Sequence, residues 1–166
     1  MSLYRPLKIH LLQVVGVEHS LKAMRNPHMS HERSTYEADL ALASKLVKAG
    51  DEHAKFTRGV IAYIELDAQI GWFVEWTTYR IGLEVLSTSS TMHIDLKGMK
   101  GPELAEAKQA NLPNVVYRQT AMVSYQTLRR IYLQRRNHRH PDWQIFCAAV
   151  RGFPYFESLI VPEESK

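Results

Sequence analysis

An α+β fold, mostly helical and forming a single domain over residues 1–166, is what the sequence predicts, on three observations. With 45% apolar and 23% charged residues, a chain of 166 can bury a core without staples. Two short runs rich in β-branched residues, Lys8 to Val17 and Val60 to Ile64, read as strands. Around them lie stretches with apolar residues at helical spacing, punctuated by glycine and proline.

The first strand ends at Gly16. A short helix is expected over 18–25, halted by Asn26-Pro27, because a proline ring disfavours helical backbone in the residue before it. His28 to Arg33 is polar and reads as a loop. In the next helix Ser34 and Glu37 have capping-box spacing, and Tyr36, Leu40, Ala43 and Val47 recur at helical spacing. Gly50 sits where a left-handed C-terminal residue is needed. Residues 57–66 read as the second strand. A helix over 69–80 then carries Trp72, Trp76 and Tyr79 on one face with Phe73 beside it, most simply as core. The hydroxyl block Ser87 to Thr91 belongs to a loop or a strand end, since such side chains compete for backbone hydrogen bonds inside a helix. A helix from Pro102 to Ala110 stops before Pro113. A long helix is expected from Val115 to Arg136, with Val116, Val123, Leu128, Ile131 and Tyr132 along one face. A last helix runs from Trp143 to Val150.

The charge balance, 21 Lys+Arg against 17 Asp+Glu, is mildly basic. The excess gathers at Arg129, Arg130, Arg135, Arg136 and Arg139, a density that suits phosphate or forms a solvated helix face. No recognised nucleic-acid-binding signature accompanies it, which argues against DNA or RNA as the partner. The single cysteine, Cys147, excludes an internal disulfide, and its apolar flanks favour an inert core thiol. No apolar run approaches a membrane span, and Met1 to Pro6 lacks a signal-peptide stretch, so the protein reads as cytoplasmic and soluble. Of the eight histidines, His28 and His31, and His138 and His140, lie close in sequence, but neither pair has the HExxH arrangement of a zinc site, and no metal is expected. Walker, GxGxxG and Gly-x-Ser-x-Gly patterns are absent, which argues against P-loop, Rossmann and nucleophile-elbow enzymes.

The most informative stretch runs from Glu75 to His93. A helix bearing Glu75, Tyr79 and Arg80 passes through Gly82 into Glu84 and a hydroxyl cluster containing Ser87 and Ser89. Such a transition presents hydrogen-bonding groups that packing does not require; a capped helix end with a solvated loop is the plainer alternative. The stretch resembles the flavin-dependent thymidylate synthases, whose signature has the form RHRxxSxNxxSxR. On this sequence Thr77-Thr78-Tyr79 falls on the Arg-His-Arg triplet, Gly82 on the first Ser, Glu84 on the Asn, Ser87 on the second Ser and Ser89 on the final Arg. The helix before Gly50 and the Asp51-Glu52-His53 segment are similar to that family's helix and Gly-His loop. Arg136, a spacer and Gln144-Ile145 are similar to its C-terminal arginine motif.

The resemblance spans 18–160 in order. It implies a small mixed β-sheet packed by several helices, a homotetramer with shared sites, FAD as cofactor and a pyrimidine nucleotide such as dUMP as substrate. It places ligand contacts at Tyr79, Arg80, Glu84, Ser87, Ser89, Arg136 and Gln144. The triplet that would hold flavin phosphates carries no arginine here, so weak or no flavin binding is expected. Two functions stay open: reductive methylation of a pyrimidine nucleotide with flavin, and non-catalytic nucleotide binding or sequestration. Arg129, Arg136 and Arg139 either converge with Arg80 and Ser87 on a phosphate, form a surface stripe, or pair with Glu75 and Glu84 across a subunit interface. The aromatic face of Trp72, Trp76 and Tyr79 suggests that some of those rings are buried between subunits.

Overall fold

The computed structural model describes residues 4–93 and 95–161; the reading of Met1 to Leu3 falls outside them. Four strands form one sheet: β1 (Lys8–Val15), β2 (Ile61–Gln69), β3 (Leu83–Thr88) and β4 (Val116–Ser124), in the spatial order β1-β2-β4-β3. The α-helices are α1 (Val17–Ala23), α2 (Tyr36–Ala49), α3 (Ile70–Trp76), α4 (Gly101–Asn111), α5 (Tyr125–Arg135) and α6 (Pro141–Arg151), and a short π-helix spans Phe156–Ile160. The α+β class is as expected. The expected mixed sheet, however, is antiparallel throughout. β2 and β3 run the same way on either side of α3 and would pair in parallel, but β4 lies between them, running against both.

That fourth strand corrects the expected helix over 115–136. Tyr117, Gln119, Ala121 and Val123 alternate inward while Val116, Arg118, Thr120 and Met122 point the other way, a period of two. Ser124 ends the strand and caps α5, its hydroxyl accepting from Thr127 N at 3.2 Å. Gln119 hides the pattern in sequence, being a polar residue at an inward position. It is satisfied there, accepting from Trp76 Nε1 at 2.9 Å and donating to Thr88 Oγ1 at 3.1 Å.

Smaller differences have local causes. α2 is capped by Thr35, which accepts from Ala38 N, because Ser34 donates instead to Asp39 Oδ2 at 2.6 Å. Gly50 has a positive φ of 129° but extended ψ, so it is not the left-handed cap expected. Residues 55–59 form a 3-10 turn, with the Thr57 hydroxyl donating to Ala54 O, and β2 starts later than expected. α3 stops at Trp76, where Thr77 and Thr78 donate their hydroxyls to Phe73 O and Glu75 O.

β2 contributes Ala62, Ile64, Leu66 and Ala68 to a single core shared with α3, α5 and α6. Trp72 stacks on Trp76 at 5.4 Å between ring centroids and meets Trp143 at 4.9 Å, and Phe146 fills in beside Trp76 at 5.4 Å. The aromatic face of α3 is therefore buried inside one chain rather than reserved for a subunit interface. The other sheet face carries half-buried and exposed side chains, among them Tyr63, Glu65, Asp67, Arg118, Thr120 and Glu84. A buried ion pair, Arg25 with Asp39, ties the chain after α1 to α2.

Candidate functional site

A groove of about 400 Å³ opens where the start of β2, the start of β3 and the β4–α5 junction meet. Three hydrogen bonds build it. Tyr125 N donates to Val60 O at 2.8 Å, Ser124 N to Gly82 O at 2.7 Å, and the Thr127 hydroxyl to Ile81 O at 2.6 Å. Gly82 has φ 76°, and a Cβ there would come within 2.5 Å of both Ser124 Oγ and Thr127 Oγ1, so only glycine lets the chain pass this close to the α5 cap.

The groove offers two arginines in different states. Arg58 Nε donates to Gln126 Oε1 at 2.7 Å and is held. Arg80 is exposed at the rim and pairs with no acidic residue among those described. Glu84 sits on the same rim and forms no ion pair among the described residues. Ile81, 74% exposed, and Met122 provide apolar surface between these charges. A planar donor fork, a carboxylate and apolar walls suit a molecule with an anionic end, a flat body and a polar edge.

Of the residues singled out from sequence, Arg80 and Glu84 meet in this groove. Ser87 lies further along β3 opposite Thr120, on the open sheet face. Ser89 is engaged in the strand ending, its hydroxyl accepting from Arg118 N at 3.0 Å while its own N donates to Arg118 O at 2.8 Å. Tyr79 is buried on the helical side, its hydroxyl donating to Gln134 Oε1 at 3.0 Å and accepting from Arg135 Nε at 2.7 Å. Arg136 caps the far end of α5, roughly 15 Å from Gln126 at 1.5 Å per residue. Gln144 donates to His138 O on the α5–α6 side. Neither Arg136 nor Gln144 is among the residues lining the groove.

The arginine cluster divides in the same way. Arg129 is not on an exposed stripe: its side chain is 16% exposed, donates to Val47 O at 3.2 Å and approaches Asp51 at 3.9 Å. Arg135 donates to Glu75 Oε2 at 2.9 Å and lies 4.5 Å from the Trp143 ring centroid, so Glu75 is paired inside the chain and not across an interface. Trp143 Nε1 donates to the same carboxylate at 3.0 Å. That hydrogen bond, with the charges of Arg135, His138 and His140, outweighs burial and holds the Glu75 carboxyl below its ordinary range. His138 and His140 accept backbone N–H bonds at the start of α6, and no cluster of three potential metal ligands occurs among the described residues. Arg58, Ser124, Gln126 and Thr127 went unnoticed in the sequence, since nothing local distinguishes them from cap and strand residues.

The fold and groove define a two-layer α+β protein, helices on one side of an antiparallel sheet, with a ligand-sized groove at the sheet's end. No family model and no curated protein matches the sequence. Among solved structures the fold is that of thymidylate synthase X of Helicobacter pylori with FAD and dUMP, at a TM-score of 0.73 and 12% identity, over 94% of this chain and 97% of that one. A second structure of this flavin-dependent enzyme, complexed with FAD and dUMP, aligns at a TM-score of 0.71 and 12% identity, covering 93% and 98%. A likeness of this kind establishes a shared fold. Among the described residues, no helix is long and apolar enough to cross a membrane.

Proposed function

We propose that this chain binds a pyrimidine nucleotide such as dUMP, with the phosphate on Arg80 and the base or sugar edge facing Glu84 across the groove. The observation that carries this reading is Arg80 itself. It is an arginine without an acidic partner among the described residues, set on the rim of a 400 Å³ groove beside apolar Ile81 and Met122. The solved neighbours hold a nucleotide on the same fold. Arginine's fork matches a phosphate in two parallel hydrogen bonds and keeps its charge at any working pH.

The residues present do not fit FAD at the triplet position. Thr77 and Thr78 use their hydroxyls on helix carbonyls, and the Tyr79 hydroxyl is buried against Gln134 and Arg135. None of these three residues is itself a cation for the flavin diphosphate; the charges beside them are Arg80, the next residue, and Arg135, whose Nε is bonded to the Tyr79 hydroxyl. Reductive methylation with flavin and binding alone both rest on this same nucleotide site. A homotetramer remains part of the proposal on the strength of the resemblance. It would bring Arg136 and Gln144 of one subunit, which do not line the groove of their own chain, toward the groove of another.

The test is calorimetry with dUMP, dTMP and a purine nucleotide on the wild type, Arg80→Ala and Arg136→Ala, with folding checked by circular dichroism. A charge-assisted phosphate contact is worth about 1.5–3 kcal/mol, so Arg80→Ala should weaken dUMP binding by roughly tenfold or more. If no nucleotide binds, or folded Arg80→Ala binds as well as wild type, the proposal is wrong. Light scattering reports the assembly: a mass near the 19.1 kDa of one chain removes the tetramer and the role of Arg136 with it.

A further inference from the structure

A second cavity, of about 410 Å³, lies where the end of β1 meets the start of α2 and the C-terminal segment, and it shares no lining residue with the groove. Val14 and Val17 give it apolar surface; Glu18, His19, Tyr36 and Tyr155 supply the rest of its character. Three independent features meet here. The first is backbone strain. Tyr155 sits at φ 59°, a left-handed conformation that a bulky side chain rarely adopts, and it leads directly into the π-helix. The segment is held in place from both sides: Pro154 O accepts from the buried Tyr125 hydroxyl at 2.7 Å, and Leu159 and Ile160 are fully buried. Such strain persists where the surroundings impose it and gathers at ligand sites.

The second feature is the tyrosine pair. The Tyr36 hydroxyl donates to the Tyr155 hydroxyl at 2.7 Å, joining α2 to the strained residue while Tyr36 remains 43% exposed. The hydrogen bond to Tyr155, burial, and the negative charges of Glu18 and Glu37 push the Tyr36 hydroxyl up to about 12, so it stays neutral at working pH. The third feature is local charge. A further cleft of about 400 Å³ also borders Tyr36 and is lined by Glu37, Leu40 and Ser158. Among the described residues that line the two clefts His19 is the one basic residue, on a chain whose net charge is +4.

We propose that the Tyr36–Tyr155 corner binds an organic ammonium ion, seated against the two tyrosine rings with its charge facing Glu18 and Glu37. Aromatic faces attract cations through the ring quadrupole, and an adjacent carboxylate adds Coulomb attraction that a phosphate or carboxylate ligand would meet as repulsion. The size of the cavity falls within the range of small-molecule sites. The inference stands apart from nucleotide binding in the groove.

Nuclear magnetic resonance titration with tetramethylammonium and with 1,4-diaminobutane, against acetate as the anionic control, tests it on the full chain. Saturable shifts confined to Val14–His19, Tyr36 and the Pro154–Phe156 amides are expected for both cations. Glu18→Gln, a surface change that should leave the melting temperature as it was, should weaken binding roughly tenfold, as should Tyr36→Leu. Glu103→Gln on exposed α4 should leave it unchanged. Shifts that do not saturate, Glu18→Gln binding as wild type, or acetate perturbing the same amides as strongly as the cations would overturn the proposal.

Discussion

Removing the carboxylate of Asp39 should destabilise this protein more than almost any other single polar substitution. Arg25 is 8% exposed and Asp39 3%, so both charges are held away from water. Arg25 Nε and the Ser34 hydroxyl both donate to that carboxylate. Asp39→Ala leaves a guanidinium buried with no counter-charge, and breaking one half of a buried pair costs about 3–5 kcal/mol. Against a total stability of about 5–15 kcal/mol, that is roughly a fifth of the margin or more. At about 2–4 °C per kcal/mol for a chain of this size, the melting temperature should fall by roughly 10 °C. The double substitution Arg25→Met with Asp39→Leu removes both charges and keeps the volume, and should recover most of the loss. Asp39→Asn, which keeps the shape and an acceptor for Ser34, should fall between. Urea denaturation followed by circular dichroism measures all four proteins. A loss below about 1 kcal/mol in Asp39→Ala, or a double variant as unstable as Asp39→Ala, would mean that the pair is hydrated and the reasoning mistaken.

Acid should weaken the fold through two carboxylates. Glu75 is held low chiefly by the Trp143 hydrogen bond, and Asp67 chiefly by its hydrogen bond from Arg118. Groups lowered on folding contribute stability above their ordinary values of 4.5 and 3.8, and that contribution fades as pH drops through their folded values. Melting temperatures taken from pH 7 down to pH 3 should therefore fall, and Glu75→Gln should flatten part of the slope; an unchanged slope would remove Glu75 from the account. Gly82→Ala should cost roughly 2 kcal/mol and impair dUMP binding together, since the new methyl meets the Ser124 and Thr127 hydroxyls that cap α5; wild-type stability with intact binding would contradict the groove geometry. Cys147 is buried, and burial pushes its thiol up to about 11, so a thiol reagent at pH 8 should react with it slowly in the native protein and rapidly in urea.

Much of the fold was legible because periodicity and punctuation agree in β1, α2 and α6, where the apolar spacing and the flanking Gly or Pro point the same way, while α4 was marked by its prolines alone. The 115–136 region was misread because β4 and α5 are continuous in sequence and joined only by Ser124. A strand's apolar positions then run straight into a helix's, and Gln119 erases the alternation that would have separated them. In the candidate site, Arg80 and Glu84 were legible because a charged pair flanking a glycine at a helix end has no packing reason to be there. Arg58, Ser124, Gln126 and Thr127 reach the same groove from β2 and the β4–α5 corner, a meeting that only the strand order creates. Arg136 and Gln144 were grouped with them by sequence resemblance, which carries no distance.

The insertion of β4 between β2 and β3 also bears on how the chain finds this shape. β3 pairs with β4 alone, and β2 must hold an edge open until β4 arrives, with Ile61 meeting Ser124 across about sixty residues of intervening chain. None of the three ladders is a tight hairpin: two helices separate β1 from β2, and α4 separates β3 from β4. Loop-closure entropy is thus spent before any strand pair is gained, which slows folding relative to a helical bundle of equal length. It also leaves the backbone N–H and C=O groups along one edge of β2 unpaired on the nascent chain, since β2 is synthesised well before β4.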